Sequence, residues 1–91
     1  MANSIVTFKI MPTGPEVDME ALKAKCFDVM SAEGSKGTMD GKIEPIAFGL
    51  SQLLVLGMFD SEVDFEAVAV KIADLEDTNS AEVNRIDLAM G

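Results

Sequence analysis

The sequence contains no histidine and only one cysteine, Cys26. Without histidine, the chain lacks the usual general base near neutral pH, the commonest zinc ligand, and the base of Ser-His-Asp or Cys-His catalysis. A single cysteine allows no internal disulfide, and one cysteine without histidine is a poor basis for a zinc site. We therefore expect no metal site, and the lack of a disulfide fits a reducing cytoplasm.

Long apolar runs and targeting signals are also missing. The longest uncharged stretch, residues 45–59, has 15 residues and is interrupted by glycine, serine and glutamine. A membrane-spanning helix needs roughly 20 consecutive apolar residues. The first twelve residues, MANSIVTFKIMP, have neither the basic start nor the long apolar centre of a secretory signal. We expect a cytoplasmic protein that does not enter a membrane.

Basic residues are scarce, since seven Lys and Arg stand against 16 Asp and Glu and give a net charge of −9. In residues 46–91, Lys71 and Arg85 are the only cations against nine acids. Such a chain repels nucleic-acid phosphates and anionic lipids, so we expect no direct nucleic-acid or membrane partner. Its field attracts a basic protein surface, although the same acidity also serves solubility alone.

No segment has the pattern of a catalytic or cofactor site. Acidic residues alternate along 60–66, but they lack the glycine and the twelfth-position glutamate of a calcium-binding loop. The glycine-rich segment 31–41 matches neither the P-loop nor the dinucleotide-binding motif. Cys26 falls on the apolar face of a predicted helix, which favours a core position. We therefore expect no covalent chemistry and no cofactor.

A succession of periodic segments predicts the secondary structure. Apolar residues alternate at Val6, Phe8 and Ile10, and they recur at helical spacing after two candidate N-caps, Asp18 and Asp64. The length of 91 residues corresponds to a single domain spanning residues 1–91. The predicted strands cover 4–11, 42–48, 50–59 and 80–90, the predicted helices cover 19–30 and 65–76, and 31–41 is predicted to be a loop.

The order β-α-β-β-α-β predicts a ferredoxin-like sandwich of the α+β class, with two helices on one face of a four-stranded antiparallel sheet. Residues 17–21 and 63–67, VDMEA and VDFEA, suggest an internal repeat, although helix N-termini favour such residues in any case. The apolar residues of the last strand change parity after Val83, so we expect a bulge near Asn84 and Arg85. The second face of the sheet would be open to solvent or a partner.

The segment EPIAFGL, residues 44–50, joins the second and third strands. Pro45 favours an extended conformation of Glu44, and Gly49 permits a tight reversal. Phe48 lies between them, at the tip or shoulder of the predicted hairpin. An aromatic side chain there either folds back onto the end of the sheet or is exposed as an anchor for a partner's pocket. The residues alone leave both interpretations open.

The chain resembles archaeal elongation factor 1-beta in three segments: KIMPTGPEVDMEALKAK at 9–25, IEPIAFGLSQLLVL at 43–56 and SAEVNRI at 80–86. The resemblance runs through essentially the whole chain in the same order. It implies a ferredoxin-like fold and a guanine nucleotide exchange factor for elongation factor 1-alpha, the GTPase that brings aminoacyl-tRNA to the ribosome. Such a factor speeds the release of GDP without changing a covalent bond.

The resemblance also implies which residues bind the partner. In the family, the aromatic residue of the turn inserts into the GTPase, and this position corresponds to Phe48, with Gly49 shaping the turn and Ala47 beside it. Ile46, Ala47 and Leu50 carry over only as matches to the motif, and a position in the sheet is open for them. The resemblance therefore favours the exposed interpretation of Phe48.

A basic residue near the C-terminus is the second device of the family, and in eukaryotic relatives a lysine there reaches the Mg²⁺ site of the GTPase. In this chain the aligned position falls on Asp87 or Leu88. Arg85 is the only basic residue after Lys71, and it is the candidate for this role. This chain therefore has no basic residue at the position that, in the family, acts on the Mg²⁺ site of the GTPase.

Two other functions are compatible with this sequence, because one fold supports many functions. The first is a ferredoxin-like protein-binding module without exchange activity, which would form a complex without faster GDP release. The second is a small-ligand regulatory domain, which would have a pocket or a dimer interface on the open sheet face. For the exchange factor itself we expect a monomer.

Overall fold

Four strands and two helices make up the computed structural model, which describes residues 3–47 and 49–89. Their order confirms the predicted β-α-β-β-α-β succession. The elements are β1 (Asn3–Pro12), α1 (Met19–Ala32), β2 (Lys36–Pro45), β3 (Ser51–Asp60), α2 (Phe65–Ala73) and β4 (Thr78–Ala89).

The strands form one antiparallel sheet in the order β2-β3-β1-β4. The two central strands, β1 and β3, pair over most of their length, from Asn3 opposite Asp60 to Ile10 opposite Leu53. Each helix connects two strands that are separated by one other strand in the sheet. The arrangement is therefore the ferredoxin-like sandwich predicted from the sequence. The edges of the sheet are β2 and β4.

The core lies between the two helices and one face of the sheet. Phe8 of β1 and Phe59 of β3 meet there edge to face, with ring centroids 6.1 Å apart. Cys26 is fully buried in this core, as predicted. Among the described residues, the hydrophobic core cluster consists of Val6, Phe8, Ile10, Leu22, Cys26, Met30, Leu53, Val55, Phe59, Val68, Ala69 and Ile72.

Both helices begin at the aspartates that the sequence predicts. The Asp18 carboxylate accepts hydrogen bonds from the Glu20 and Ala21 amides, at 3.1 and 3.2 Å. Asp64 accepts one from the Ala67 amide at 3.2 Å. These caps satisfy amides that have no partner within the helix, and each stabilises the fold by about 1 kcal/mol.

The bounds predicted for β2 were wrong. This strand begins at Lys36, inside the segment that was predicted to be a loop, and it ends at Pro45 rather than at residue 48. Residues 36–41 have no alternating apolar pattern and include two glycines, so their extended form depends on pairing with β3 rather than on local preference. The second helix also ends earlier than predicted, at Ala73 rather than at residue 76.

The bulge predicted in β4 is confirmed. Thr7 pairs with Arg85, whereas the next residue of β1, Phe8, pairs with Val83, so Asn84 is the extra residue. The bulge resets the side-chain alternation of β4, because one inserted residue moves every later side chain to the other face. It therefore places Val83 on the core side of the sheet and Arg85 on the open side.

Candidate functional site

The turn between β2 and β3 is the first part of the candidate site. The Ile46 amide donates a hydrogen bond to the Leu50 carbonyl, and the Leu50 amide donates one to the Ala47 carbonyl, both at 2.9 Å. Gly49 has φ of +77°, in the left-handed region that favours glycine. Phe48, the predicted anchor, lies outside the described residues. The two hydrogen bonds join Ile46 and Ala47 to Leu50 and so close the turn.

The described residues of this turn are open to solvent. Pro45, Ala47 and Gly49 are exposed, and Ile46 is 46% exposed. A Cβ built on Gly49 would have no atom within 4 Å, so packing does not require the glycine and the backbone conformation does. A partner can therefore reach the turn without displacing other parts of the chain.

The base of the turn is held by a side-chain network on the open sheet face. Glu44 accepts a hydrogen bond from the Gln52 side-chain amide at 2.9 Å, and the Lys42 ammonium lies 3.3 Å from its other oxygen. The hydrogen bond from Gln52, followed by the contact with Lys42, holds the pKa of Glu44 below its ordinary value of 4.5. This network joins β2 to β3 at the ends of the strands that lead into the turn.

Acidic loops lie at the same end of the sheet as this turn. The loop after β1 and the loop before β4 meet through a hydrogen bond from the Thr13 amide to the Asp77 carbonyl, at 2.9 Å. Neither 13–18 nor 74–77 contains a lysine or arginine. Their exposed carboxylates are Glu16, Asp18, Asp74, Glu76 and Asp77. This end of the molecule therefore has a negative field that attracts a basic protein surface.

Arg85, the other predicted site residue, is not part of this end. It lies on the open sheet face, where its side chain is 71% exposed and its Nε is 3.0 Å from the Asp87 carboxylate. Thr7 pairs with both Arg85 and Leu56, so Arg85 is level with Leu56. Leu56 is six positions after Leu50 in the sequence, which is roughly 20 Å along the strands. The structure separates the two predicted parts of the site.

Comparisons with known proteins decide the family. Residues 5–90 match the EF-1 guanine nucleotide exchange domain. The chain belongs to this family. It is 40% identical over 84 residues to elongation factor 1-beta of Methanobrevibacter smithii, with 91% of this chain and 92% of the relative covered. The resemblance noted in the sequence is confirmed, and the role of the family is guanine nucleotide exchange in translation elongation.

Two further relatives have the same name and match over a similar extent. Elongation factor 1-beta of Methanocaldococcus jannaschii is 35% identical over 92 residues, which cover 98% of this chain and 100% of the relative. That of Pyrococcus abyssi is 36% identical over 86 residues, which cover 92% of each chain. The similarity therefore includes the strands, the helices and the β2–β3 turn rather than one isolated motif.

Membrane-spanning helices and metal-binding groups are both absent from the described residues. No helix within residues 3–47 and 49–89 is long and apolar enough to cross a membrane. No group of three His, Cys, Asp or Glu side chains in the same part of the chain is arranged to hold a metal ion. The candidate functional features of the described residues are the turn, the acidic end and the open sheet face.

Sequence reasoning missed two features of the open face. The first is the ion pair between Arg85 and Asp87, which the period of two in a strand could have indicated, because residues i and i+2 share a face. The second is an irregular start of β2 around Gly37, which has φ of +69°. The glycines of the segment 31–41 were the only signal for it, and they were read as a loop.

Proposed function

We propose that this chain, as a single domain spanning residues 1–91, binds elongation factor 1-alpha and speeds its release of GDP. Phe48, Gly49 and Ala47 form the contact, with Phe48 entering a pocket of the GTPase. The observation that carries the proposal is the exposed, hydrogen-bonded turn in a chain that matches the exchange family over residues 5–90. The φ of +77° at Gly49 fits its proposed role in shaping the turn.

Exchange of this kind is a coupling between two binding events and needs no covalent step. If the chain weakens the binding of GDP to the GTPase, GDP must weaken the binding of the chain by the same factor. A coupling free energy of ~4 kcal/mol corresponds to roughly a thousandfold change in affinity. We therefore propose a non-enzymatic factor that uses no cofactor of its own.

The acidic end of the sheet supports a protein partner over a nucleic acid. The loops beside the turn contain five exposed carboxylates and no cation. Such a surface steers a basic protein towards the turn and repels phosphates. We propose that the chain acts in the cytoplasm as a monomer, without direct contacts to nucleic acid or membrane.

Arg85 is proposed as a second contact, separate from the turn. Its ion pair with Asp87 is exposed, so exchanging Asp87 for a carboxylate or phosphate of the partner costs little. Its position roughly 20 Å along the strands from the turn requires a partner that covers both the end and the open face of the sheet. A role at the Mg²⁺ site would need the GTPase to bring that site to the middle of β4.

The experiment is the release of a fluorescent GDP analogue from elongation factor 1-alpha, with and without the chain. The proposal predicts faster release that saturates with the concentration of the chain, and weaker binding of the chain when GDP is added. The alternative, a ferredoxin-like protein-binding module without exchange activity, predicts a complex whose GDP release is unchanged. A chain that neither binds the GTPase nor changes the release rate would contradict both.

A further inference from the structure

The start of β2 contains a bulge opposite Gly57 of β3. Lys36 pairs with Met58, and Asp40 pairs with Leu56, so the three residues 37–39 lie opposite the single residue Gly57. Gly37 has φ of +69°, a conformation that other residues adopt with strain. The bulge therefore bends the edge strand where it passes Gly57.

A groove lies at this bulge. It has a volume of about 220 Å³ and is lined by Ile5, Thr38, Asp40, Leu56, Gly57 and Met58, which together we term the bulge groove. Three apolar side chains supply most of its wall, while Thr38 and Asp40 are exposed at its rim. Pockets for small molecules usually enclose roughly 300–1,000 Å³. The bulge groove is below that range and suits one long side chain better than a metabolite.

Among the described residues of this face, the basic side chains are paired with carboxylates, whereas Asp40 at the groove has no cation partner. The lysines and the arginine of the strands each have a carboxylate partner: Lys9 with Glu82, Lys36 with Asp60, Lys42 with Glu44 and Arg85 with Asp87, at 3.0 to 4.0 Å. Asp40 has no cation within 4 Å among the described residues. Its Oδ1 accepts only a hydrogen bond from the next amide, that of Gly41, at 2.9 Å. An unpaired carboxylate thus stands beside an apolar groove.

We propose that the bulge groove binds one lysine or arginine side chain of elongation factor 1-alpha, an inference that rests on the proposed function. The aliphatic stem of such a side chain packs against Ile5, Leu56 and Met58, and its charged head pairs with Asp40. Lysine and arginine combine an apolar stem with a cationic tip, which is the chemistry that this groove complements. The net charge of −9 favours the same partner surface.

The groove and the turn are two separate contacts. Gly57 is seven positions after Leu50 in the sequence, which is roughly 23 Å along β3. A partner that covers both points is held at two places on one rigid sheet. The turn then loosens the nucleotide, while the groove sets affinity and orientation.

The test uses Asp40→Asn and Thr38→Phe in the full chain, with Asp28→Asn as the matched control. Asp40→Asn keeps the acceptor for the Gly41 amide and removes the charge, and Thr38→Phe fills the groove from its exposed rim. Asp28 is exposed on α1, so its variant has the same change of net charge on the other side of the molecule. Circular dichroism melts check that each variant folds.

Affinity for nucleotide-free elongation factor 1-alpha is measured by calorimetry at low and high salt. We expect Asp40→Asn and Thr38→Phe each to weaken binding roughly tenfold, and Asp40→Asn to reduce the salt dependence. Asp28→Asn should bind within about twofold of the unchanged chain. At saturating concentrations, Asp40→Asn should still accelerate GDP release, because the turn is intact.

The outcomes separate this inference from the proposed function. If the unchanged chain accelerates GDP release while Asp40→Asn and Thr38→Phe bind as well as it does, the groove assignment is wrong and the exchange function stands. If Thr38→Phe weakens binding and Asp40→Asn does not, the proposed pairing of a cation with Asp40 is also wrong. Absence of binding by the unchanged chain overturns both.

Discussion

Arg85 and Asp87 form an ion pair along β4, with the arginine Nε 3.0 Å from the aspartate Oδ2. Both side chains lie on the open face of the sheet, two residues apart and beyond the bulge at Asn84. Without the bulge, Arg85 would lie on the core side. The position of the only basic side chain after Lys71 therefore depends on one inserted residue.

Replacing Arg85 by alanine tests whether this side chain contacts the partner. As an exposed pair, Arg85 and Asp87 stabilise the fold by less than about 1 kcal/mol, so Arg85→Ala should melt close to the unchanged chain. If Arg85 is a second contact, GDP release at subsaturating concentrations should slow about tenfold. Lys71→Ala, which removes a cation of α2 paired with Glu33, is the control. Equal rates of GDP release with Arg85→Ala and Lys71→Ala would show that Arg85 does not contact the partner.

Gly49 should be replaceable only by residues that tolerate a left-handed backbone. Its φ is +77°, and the space around its Cα is empty, so Gly49→Val should cost about 1–2 kcal/mol through conformation alone. Asparagine visits this region more readily, and Gly49→Asn should cost less. Urea unfolding compares the two variants. Equal stability of the valine and asparagine variants would contradict a left-handed backbone conformation at Gly49.

Gly57 should not tolerate alanine because of Met30. A Cβ on Gly57 would lie 2.6 Å from the Met30 Cε and 2.9 Å from the Ser35 Oγ. Met30 is fully buried, so its methyl group has little room to move, and Gly57→Ala should destabilise the fold by about 1–3 kcal/mol. Adding Met30→Leu, which removes that methyl position, should recover part of the loss. A double variant no more stable than Gly57→Ala would show that the contact is not the cause.

Burial of Cys26 predicts a stability change at high pH. Desolvation raises the pKa of this thiol from 9.0 to about 11. The thiol stabilises the folded state fully below pH 9, where both states are protonated. Above pH 9 the unfolded state loses its proton first, so this contribution falls until about pH 11. The free energy of unfolding should therefore decrease more steeply over this window in the unchanged chain than in Cys26→Ala. If the free energy of unfolding falls equally with pH in both proteins, the burial of Cys26 is contradicted.

The sequence predicted the parts of the fold that local rules determine. The alternation of Val6, Phe8 and Ile10 located β1, the two aspartate caps located the helix starts, and the parity change after Val83 located the bulge of β4. The first half of β2 was missed because residues 36–41 have no periodic apolar pattern. Their strand conformation comes from the edge of β3, which is a long-range partner.

The candidate site likewise has parts that depend on local sequence and parts that depend on long-range pairing. Proline and glycine placed the β2–β3 turn between the correct strands, since each restricts or permits backbone conformations locally. The separation of Arg85 from that turn follows from strand order and register, which depend on pairings between distant residues. The bulge groove follows from a register shift in a segment that the sequence presented as a loop.

The most direct test of the central claim is the rate of GDP release from elongation factor 1-alpha with Phe48→Ala and with Val70→Ala as control. Val70 is 61% exposed on α2, away from the turn, so its variant removes exposed apolar surface without changing the proposed contact. A buried aromatic anchor contributes 2 kcal/mol or more, which corresponds to a rate about 30-fold lower for Phe48→Ala at subsaturating concentrations. Val70→Ala should exchange like the unchanged chain. A Phe48→Ala variant that exchanges as fast as Val70→Ala would contradict the account.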